Sequence, residues 1–304
     1  MRNERNGFLF AILGLLWGSS FVAIEVGLPY FPALHFAGLR YAVAGLIVLG
    51  YAVWTTDHWF PRSRDDLGVV LTAGALMIGG HHAFLYLGQE YVPGAVAAVV
   101  ISLGPVLTAL FATLLLGDRL TALSALGFAF GLAGVALVAQ PNPDQLLSAN
   151  VVGVGIVFVA SACFALGAVL TRPFDAQLPP RSLQAWAMLF GSGLLLLAGS
   201  LTGESLAAIE WTPTAVWSLV YLSVVTGAVA FLIYFELLDR LGPTQINLIG
   251  YVEPVSATTI SWVFLGQLID GVTAVGFLAI FGGFALIKRH ALARMLADRV
   301  TLGP

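Results

Sequence analysis

VPGAVAAVVISLGPVLTALFATLLLGDRLTALSALGFAFGLAGVALV, residues 92–138, and GPTQINLIGYVEPVSATTISWVFLGQLIDGVTAVGFLAIFGGFALI, residues 242–287, follow one pattern. Pro93 matches Pro243, Pro105 matches Pro254 with a one-residue slip, Gly117 matches Gly266, Gly127 matches Gly276, and Gly134 matches Gly283. Each copy holds two apolar runs, each close to the roughly 20 residues that cross a ~30 Å hydrocarbon core. Self-similarity of this kind marks a repeated structural unit. The chain therefore reads as two halves, residues 1–145 and 146–304, forming one transmembrane unit.

Outward from the repeat, apolar runs continue in both directions. Candidate spans fall near residues 7–27, 33–54, 67–89, 93–116, 121–139, 151–171, 182–202, 213–235, 244–264 and 272–289, with short connections. Of the 304 residues 59% are hydrophobic and only 10% are charged, with a mean hydropathy of +0.94. A soluble chain of that length cannot hide so much apolar surface. The fold class is thus an all-α polytopic membrane protein of ten transmembrane helices.

Twelve of the thirteen basic residues lie in alternate gaps between spans. Arg2 and Arg5 precede the first, Arg62 and Arg64 follow the second, Arg119 the fourth, Arg172 and Arg181 the sixth, and Arg240 the eighth; Lys288, Arg289, Arg294 and Arg299 close the chain. The intervening gaps hold only Glu90, Asp144, Glu204, Glu210 and Asp270 as charges. By the positive-inside bias both termini are cytoplasmic. Arg2 and Arg5 before the run Phe8 to Trp17 also fit a signal peptide. Removing it leaves nine spans and upsets the alternation of charge. Five spans is an odd number, so a second half of the same order enters the membrane from the other side. Inverted repeats of this kind place a site at the midplane that two nearly equivalent conformations expose in turn. The net charge of −3 carries no basic patch for nucleic acid, and the single Cys163 can form neither an intrachain disulfide nor a cysteine metal site.

The runs GFLFAILGLLWGSSFVA from Gly7, LGQEYVPGAVAAVVISLGPVLTALFATLLLGDRL from Leu87 and LLDRLGPTQINLIGYVEPVSATTISWVFLGQ from Leu237 resemble the drug/metabolite transporter superfamily, EamA type. Trp17-Gly18, Gly104-Pro105, Gly117-Asp118-Arg119 and Glu253-Pro254 carry the likeness by their order and spacing. The resemblance implies ten helices, a central cavity between the halves, a place in the bacterial inner membrane and export of small metabolites. Within the superfamily the chain is most similar to the aromatic amino acid exporters of the YddG kind. Where the family pattern often has a charged pair after the fourth and ninth spans, this chain has Asp118 and then Gln267-Leu268.

Ionisable groups in spans are costly and usually face a cavity. Glu253 is the one nearest the middle of a span, and two readings stand side by side. It either pairs with a substrate ammonium or carries a coupling proton, or it is a structural carboxylate bonded to a neighbouring helix. Pro254 and Pro105 each lack an N–H and so free the carbonyls of Gly250 and Ile101. The spacing predicts two broken helices in matching positions, which point to a binding site. His82, Tyr86 and Gln89 share one helical face, with His81 beside it; the histidines either line the cavity or bond across helices. Asn247, Tyr251 and Thr258 form a further polar stripe. Trp17 and Tyr251 are candidates to line an aromatic cavity. Glu25 and Arg40 flank the first outer turn, Gly27 to Pro32, at depths that differ by roughly 6 Å at 1.5 Å per residue, within reach of an arginine. They read as a structural ion pair, or Arg40 as a clamp for a substrate carboxylate. Gly14 with Gly18, and Gly127 with Gly131, allow close helix approach, either within the bundle or in a dimer.

The expected protein is a carrier, not an enzyme, that exports large neutral amino acids by alternating access. The expected partners are a small-molecule substrate and the lipid bilayer, in a monomer or homodimer. No cofactor or metal is expected: no other His or Cys in a span completes a site with His81 and His82, and there is no phosphate-binding loop. The rival readings are a multidrug exporter recognising cations through Glu253, an intramembrane enzyme, for which no triad or zinc motif is present, and a channel or scaffold.

Overall fold

The computed structural model describes residues 2–118, 121–141, 147–246 and 248–301, the helical positions 2–4, 243–245, 288 and 290–301 by backbone alone. Among these residues the regular structure is helical, with no strand. The main helices are α1 (Arg2–Gly27), α2 (Ala33–Thr55), α3 (Arg64–Gln89), α4 (Gly94–Leu116), α5 (Ala122–Ala139), α6 (Ala149–Leu170), α7 (Pro180–Leu201), α8 (Pro213–Gly242), α9 (Ile249–Leu265) and α10 (Gly271–Thr301). Among the described residues the 8 helices α1 to α8 are long and apolar enough to cross a membrane. The helix α9 has 17 residues, and α10 opens with a shorter apolar stretch, Gly271–Ile287.

Most bounds lie close to the hydropathy reading; the largest shifts are at the ends of α8 and α10, which run on to Gly242 and Thr301 where the reading stops near 235 and 289. Gly242 adopts φ 75°, ψ 168°, which kinks the chain at the end of α8; a helical turn continues to Ile246, and α9 begins at Ile249. Other ends have local causes. Ser63 Oγ accepts the Asp66 N–H while Asp66 accepts the Ser63 N–H, a reciprocal cap that starts α3. The repeat-matched Gly117 and Gly266 close α4 and α9 in the left-handed region, φ 73° and 69°, which a Cβ disfavours.

Three helices depart from regular winding. In α3 residues Ala73–Gly80 are π-helical, and in α8 residues Tyr221–Val229 are π-helical. In α4 the segments Gly94–Ile101 and Gly104–Leu116 are separated at Ser102 and Leu103. Pro105 falls in the first turn of the second segment, where its missing N–H costs nothing. The carbonyl of Ile101 is instead reached by Ser161 Oγ of α6 at 3.4 Å. Pro254 lies inside α9, which continues through it.

The connections sort to two ends of the bundle. At one end Arg5 and Arg240 bind Glu236, Asp66 accepts the N–H groups of Gln177 and Leu178, and Trp186 Nε1 donates to the Trp59 carbonyl. At the other, Glu204 accepts the N–H groups of Leu34 and His35, the Glu210 N–H reaches the Tyr30 carbonyl, and Gln140 Nε2 donates to Asp270. Packing pairs α1 with α9 and α4 with α6, α3 with α6 and α7, α8 with α1 and α2, α2 with α7, and α5 with α10.

The glycine faces are used within the chain. A Cβ on Gly134 would lie 2.6 Å from the Gly276 carbonyl oxygen, and one on Gly276 would lie 2.7 Å from that of Gly134. The helices α5 and α10 thus touch backbone to backbone. Gly14 and Gly18 similarly admit Val252 and Ser256 of α9 against α1.

Candidate functional site

Helices α2, α3 and α8 meet around Arg40. Its side chain is 4% exposed, and its two terminal nitrogens donate to the Tyr86 hydroxyl and to Thr226 Oγ1, each at 3.2 Å. The guanidinium carbon stands 4.9 Å from the Tyr41 ring centroid, within range of a cation–π contact. Nε is buried without a partner, and no carboxylate pairs with Arg40 among the described residues. Glu25 and Arg40 do not meet. Glu25 Oε2 accepts the Gly94 N–H at 2.7 Å, where the start of α4 favours negative charge.

Next to Arg40, the two histidines close the π-helical part of α3. His82 Nδ1 lies 3.0 Å from the Ile78 carbonyl, which only accepts, so this nitrogen carries the hydrogen. Nε2 is then the acceptor for the Tyr41 hydroxyl, 2.5 Å away. By the same logic His81 Nδ1 donates to the Ala160 carbonyl of α6 at 2.9 Å, which leaves Nε2 as a free acceptor. On the same face Gln89 Nε2 donates to the Phe21 carbonyl of α1 at 2.9 Å. The predicted face of His82, Tyr86 and Gln89 is therefore buried, with His82 and Tyr86 bonded to Tyr41 and Arg40 of α2 and Gln89 to the Phe21 carbonyl of α1.

A second group lies on α1, α8 and α9. Trp17 is half-buried against Phe231 and Tyr234 of α8, with centroids 5.3 and 5.4 Å away. Tyr251 turns toward α10, packing on Phe281 and Phe284 at 5.3 and 4.5 Å, and its buried hydroxyl has no partner among the described residues. Asn247 lies outside the described residues. Glu253 is half-buried on α9, beside Val252, which packs in one apolar cluster with Trp17 and Tyr234. No hydrogen bond or ion pair reaches its carboxylate among the described residues. A groove of about 490 Å³ lined by Phe60, Arg62, Arg64, Leu67, Trp186 and Phe190 sits apart from both groups, at the end of the bundle where Trp186 meets Trp59.

Sequence reasoning missed Tyr41, Thr226 and Ser161, and the Ser19–Tyr221 hydroxyl pair at 2.7 Å that ties α1 to α8. Tyr41 had a signal, since it adjoins the sole basic residue of a span. Thr226 and Ser161 had none, because hydroxyls in apolar helices commonly bond their own backbone.

The sequence profile of the EamA-like transporter family matches residues 5–140 and again 151–289. The chain belongs to this family. Among its relatives is the uncharacterized transporter YvbV of Bacillus subtilis, 26% identical, with 96% of this chain and 94% of that protein covered. The uncharacterized inner membrane transporter YedA of Escherichia coli is 28% identical over 88% of this chain and 89% of its own. A probable terminal-alkyne amino-acid exporter of Streptantibioticus cattleyicolor is 27% identical over 91% of each. A solved structure with a TM-score of 0.63 and 21% identity covers 93% of this chain and 96% of its own, and so shares the fold. The protein is a multi-pass membrane transporter.

Proposed function

We propose that the protein exports large neutral amino acids, aromatic ones included, from the cytoplasm across the bacterial inner membrane. The chain crosses the membrane ten times with both termini cytoplasmic. Two inverted halves, residues 1–145 and 146–304, rock about a central site. Support for the inversion comes from the packing: exchanging each helix of one half for its counterpart turns the α1–α9 contact into α6–α4 and the α8–α1 contact into α3–α6. The π-helical segments of α3 and α8 are exchanged in the same way. The basic residues of Arg5, Arg62, Arg172 and Arg240 gather at the end that holds the termini, as cytoplasmic loops do.

The observation that carries the reading is Glu253. A carboxylate within a span costs several kcal/mol or more to leave unpaired, and this one, next to Val252 of the apolar cluster that holds Trp17, has no protein partner among the described residues. Such a group serves a substrate ammonium or a transported proton. The relative named as a probable amino-acid exporter favours the first.

The test is uptake of radiolabelled amino acids into proteoliposomes, with and without a pH gradient, for wild type and Glu253→Gln. Saturable uptake of large neutral amino acids is expected, reduced in the variant. A pH-gradient effect lost in the variant makes Glu253 the proton site. Uptake of a cationic dye without uptake of any amino acid defeats the reading in favour of a cation exporter.

A further inference from the structure

We propose that Arg40 recognises the carboxylate of the transported substrate, an inference that rests on the amino-acid reading above. A guanidinium stays charged in any protein environment. Buried inside a membrane bundle, it carries a large desolvation cost unless an anion offsets it. Three acids elsewhere in the chain are engaged: Glu236 holds Arg5 and Arg240, Glu204 holds His35, and Glu25 caps α4. Arg40 alone of these charges is held by two neutral hydroxyls, Tyr86 and Thr226, with Nε unused.

What this arrangement lacks is a flat anion with two oxygens, the group that a guanidinium binds through paired N–H bonds. The position also suits a substrate. Arg40 sits where α2 and α3 of one half face α8 of the other. Thr226 belongs to the π-helical turn of α8, and Tyr86 lies nearly two turns beyond the π-helical segment of α3. Wide turns of this type recur at functional sites. Parting α8 from α2 and α3 breaks the Thr226 bond and no ion pair among the described residues, which frees one terminal nitrogen beside the unused Nε for a carboxylate while Tyr86 still holds the other. Glu253 is not bonded to Arg40. Among the described residues the bundle thus holds a cation, Arg40, and an anion, Glu253, on different helices and neither in an ion pair, which are the complements of the two heads of a zwitterion.

The test is binding by titration calorimetry in nanodiscs with four probes that share one ring: L-phenylalanine, 3-phenylpropionate, L-phenylalaninamide and 2-phenylethylamine. Wild type is expected to bind phenylalanine roughly 10- to 100-fold more tightly than phenylalaninamide, the worth of a hydrogen-bonded charge. Arg40→Gln removes that preference by weakening phenylalanine while leaving phenylalaninamide unchanged. Gly193→Ala in α7, where a Cβ meets nothing within 4 Å, retains the preference and serves as a folded control variant. Equal binding of phenylalanine and phenylalaninamide by wild type overturns the assignment and leaves the amino-acid carrier standing. Equal weakening of both probes by Arg40→Gln does the same. If Arg40→Gln does not fold, the wild-type probe series decides alone. Binding of 2-phenylethylamine only overturns the assignment in favour of a cation exporter, and binding of none of the four overturns both readings.

Discussion

Replacing Gly134 by Ala tests the backbone contact between α5 and α10 directly. The new methyl would stand 2.6 Å from the Gly276 carbonyl oxygen, where real Cβ atoms keep at least 3.0 Å. Ordinary contact begins at 3.4 Å, so the helices must part by roughly 0.8 Å, a gap that forfeits a quarter to a half of the dispersion energy along the seam. Overpacking of this kind costs about 1–3 kcal/mol, while replacing a helical glycine by alanine returns about 0.5–1 kcal/mol. The net expectation is a loss of about 1–2 kcal/mol. Gly155 in α6 and Gly193 in α7 are the controls, because a Cβ there meets nothing within 4 Å. Alanine at either control should stabilise by about 0.5–1 kcal/mol. Thermal unfolding of the detergent-solubilised protein, followed by size-exclusion chromatography with fluorescence detection, reads all three. Equal shifts of the same sign for Gly134→Ala and Gly155→Ala would refute the close contact.

Tyr41→Phe removes the hydroxyl that serves His82 Nε2 and leaves a buried acceptor bare, so it should cost about 1–3 kcal/mol in the same assay. Ser161→Ala withdraws the side chain that reaches the Ile101 carbonyl at the break in α4; a loss of about 0.6 kcal/mol is expected, the average for polar bonds between membrane helices. Asp270 is held below the usual carboxylate range, chiefly by the Thr273 N–H at 2.7 Å, with Gln140 adding a side-chain bond. Its folded pKa is thus the lower one, and its contribution is present above the unfolded value and lost as pH falls through the folded value. An acid titration of stability should be flatter for Asp270→Asn, by a small amount because the group is exposed.

Hydropathy was enough to place the helices α1 to α8, which are long and apolar enough to cross a membrane, because a membrane helix must be apolar along its whole length. Gly117 and Gly266 were legible as helix ends because their left-handed backbone excludes most side chains. The site was harder. Glu25 and Arg40 have opposite charge and depths within reach of an arginine, yet depth does not specify which way a side chain turns around its helix. Tyr251 belonged to a polar stripe on a wheel of 100° per residue but packs on α10, since a stripe says nothing of the neighbour it meets. Pro254 signalled a break that α9 does not make. The interruption sits at Gly242, where a positive φ is free of cost, and neighbouring helices in a bundle tolerate an internal proline.

The π-helical turns of α3 and α8 also bear on how the chain length can change. In a regular helix, deleting one residue swings everything beyond it by about 100° and sends a buried face into lipid. A π-helical turn holds a surplus residue already, so a deletion within Ala73–Gly80 or Tyr221–Val229 restores ordinary winding and leaves both flanking faces where they were. These two turns are therefore where the spans can shorten by one residue and still assemble, as protease resistance of single-residue deletion variants can establish.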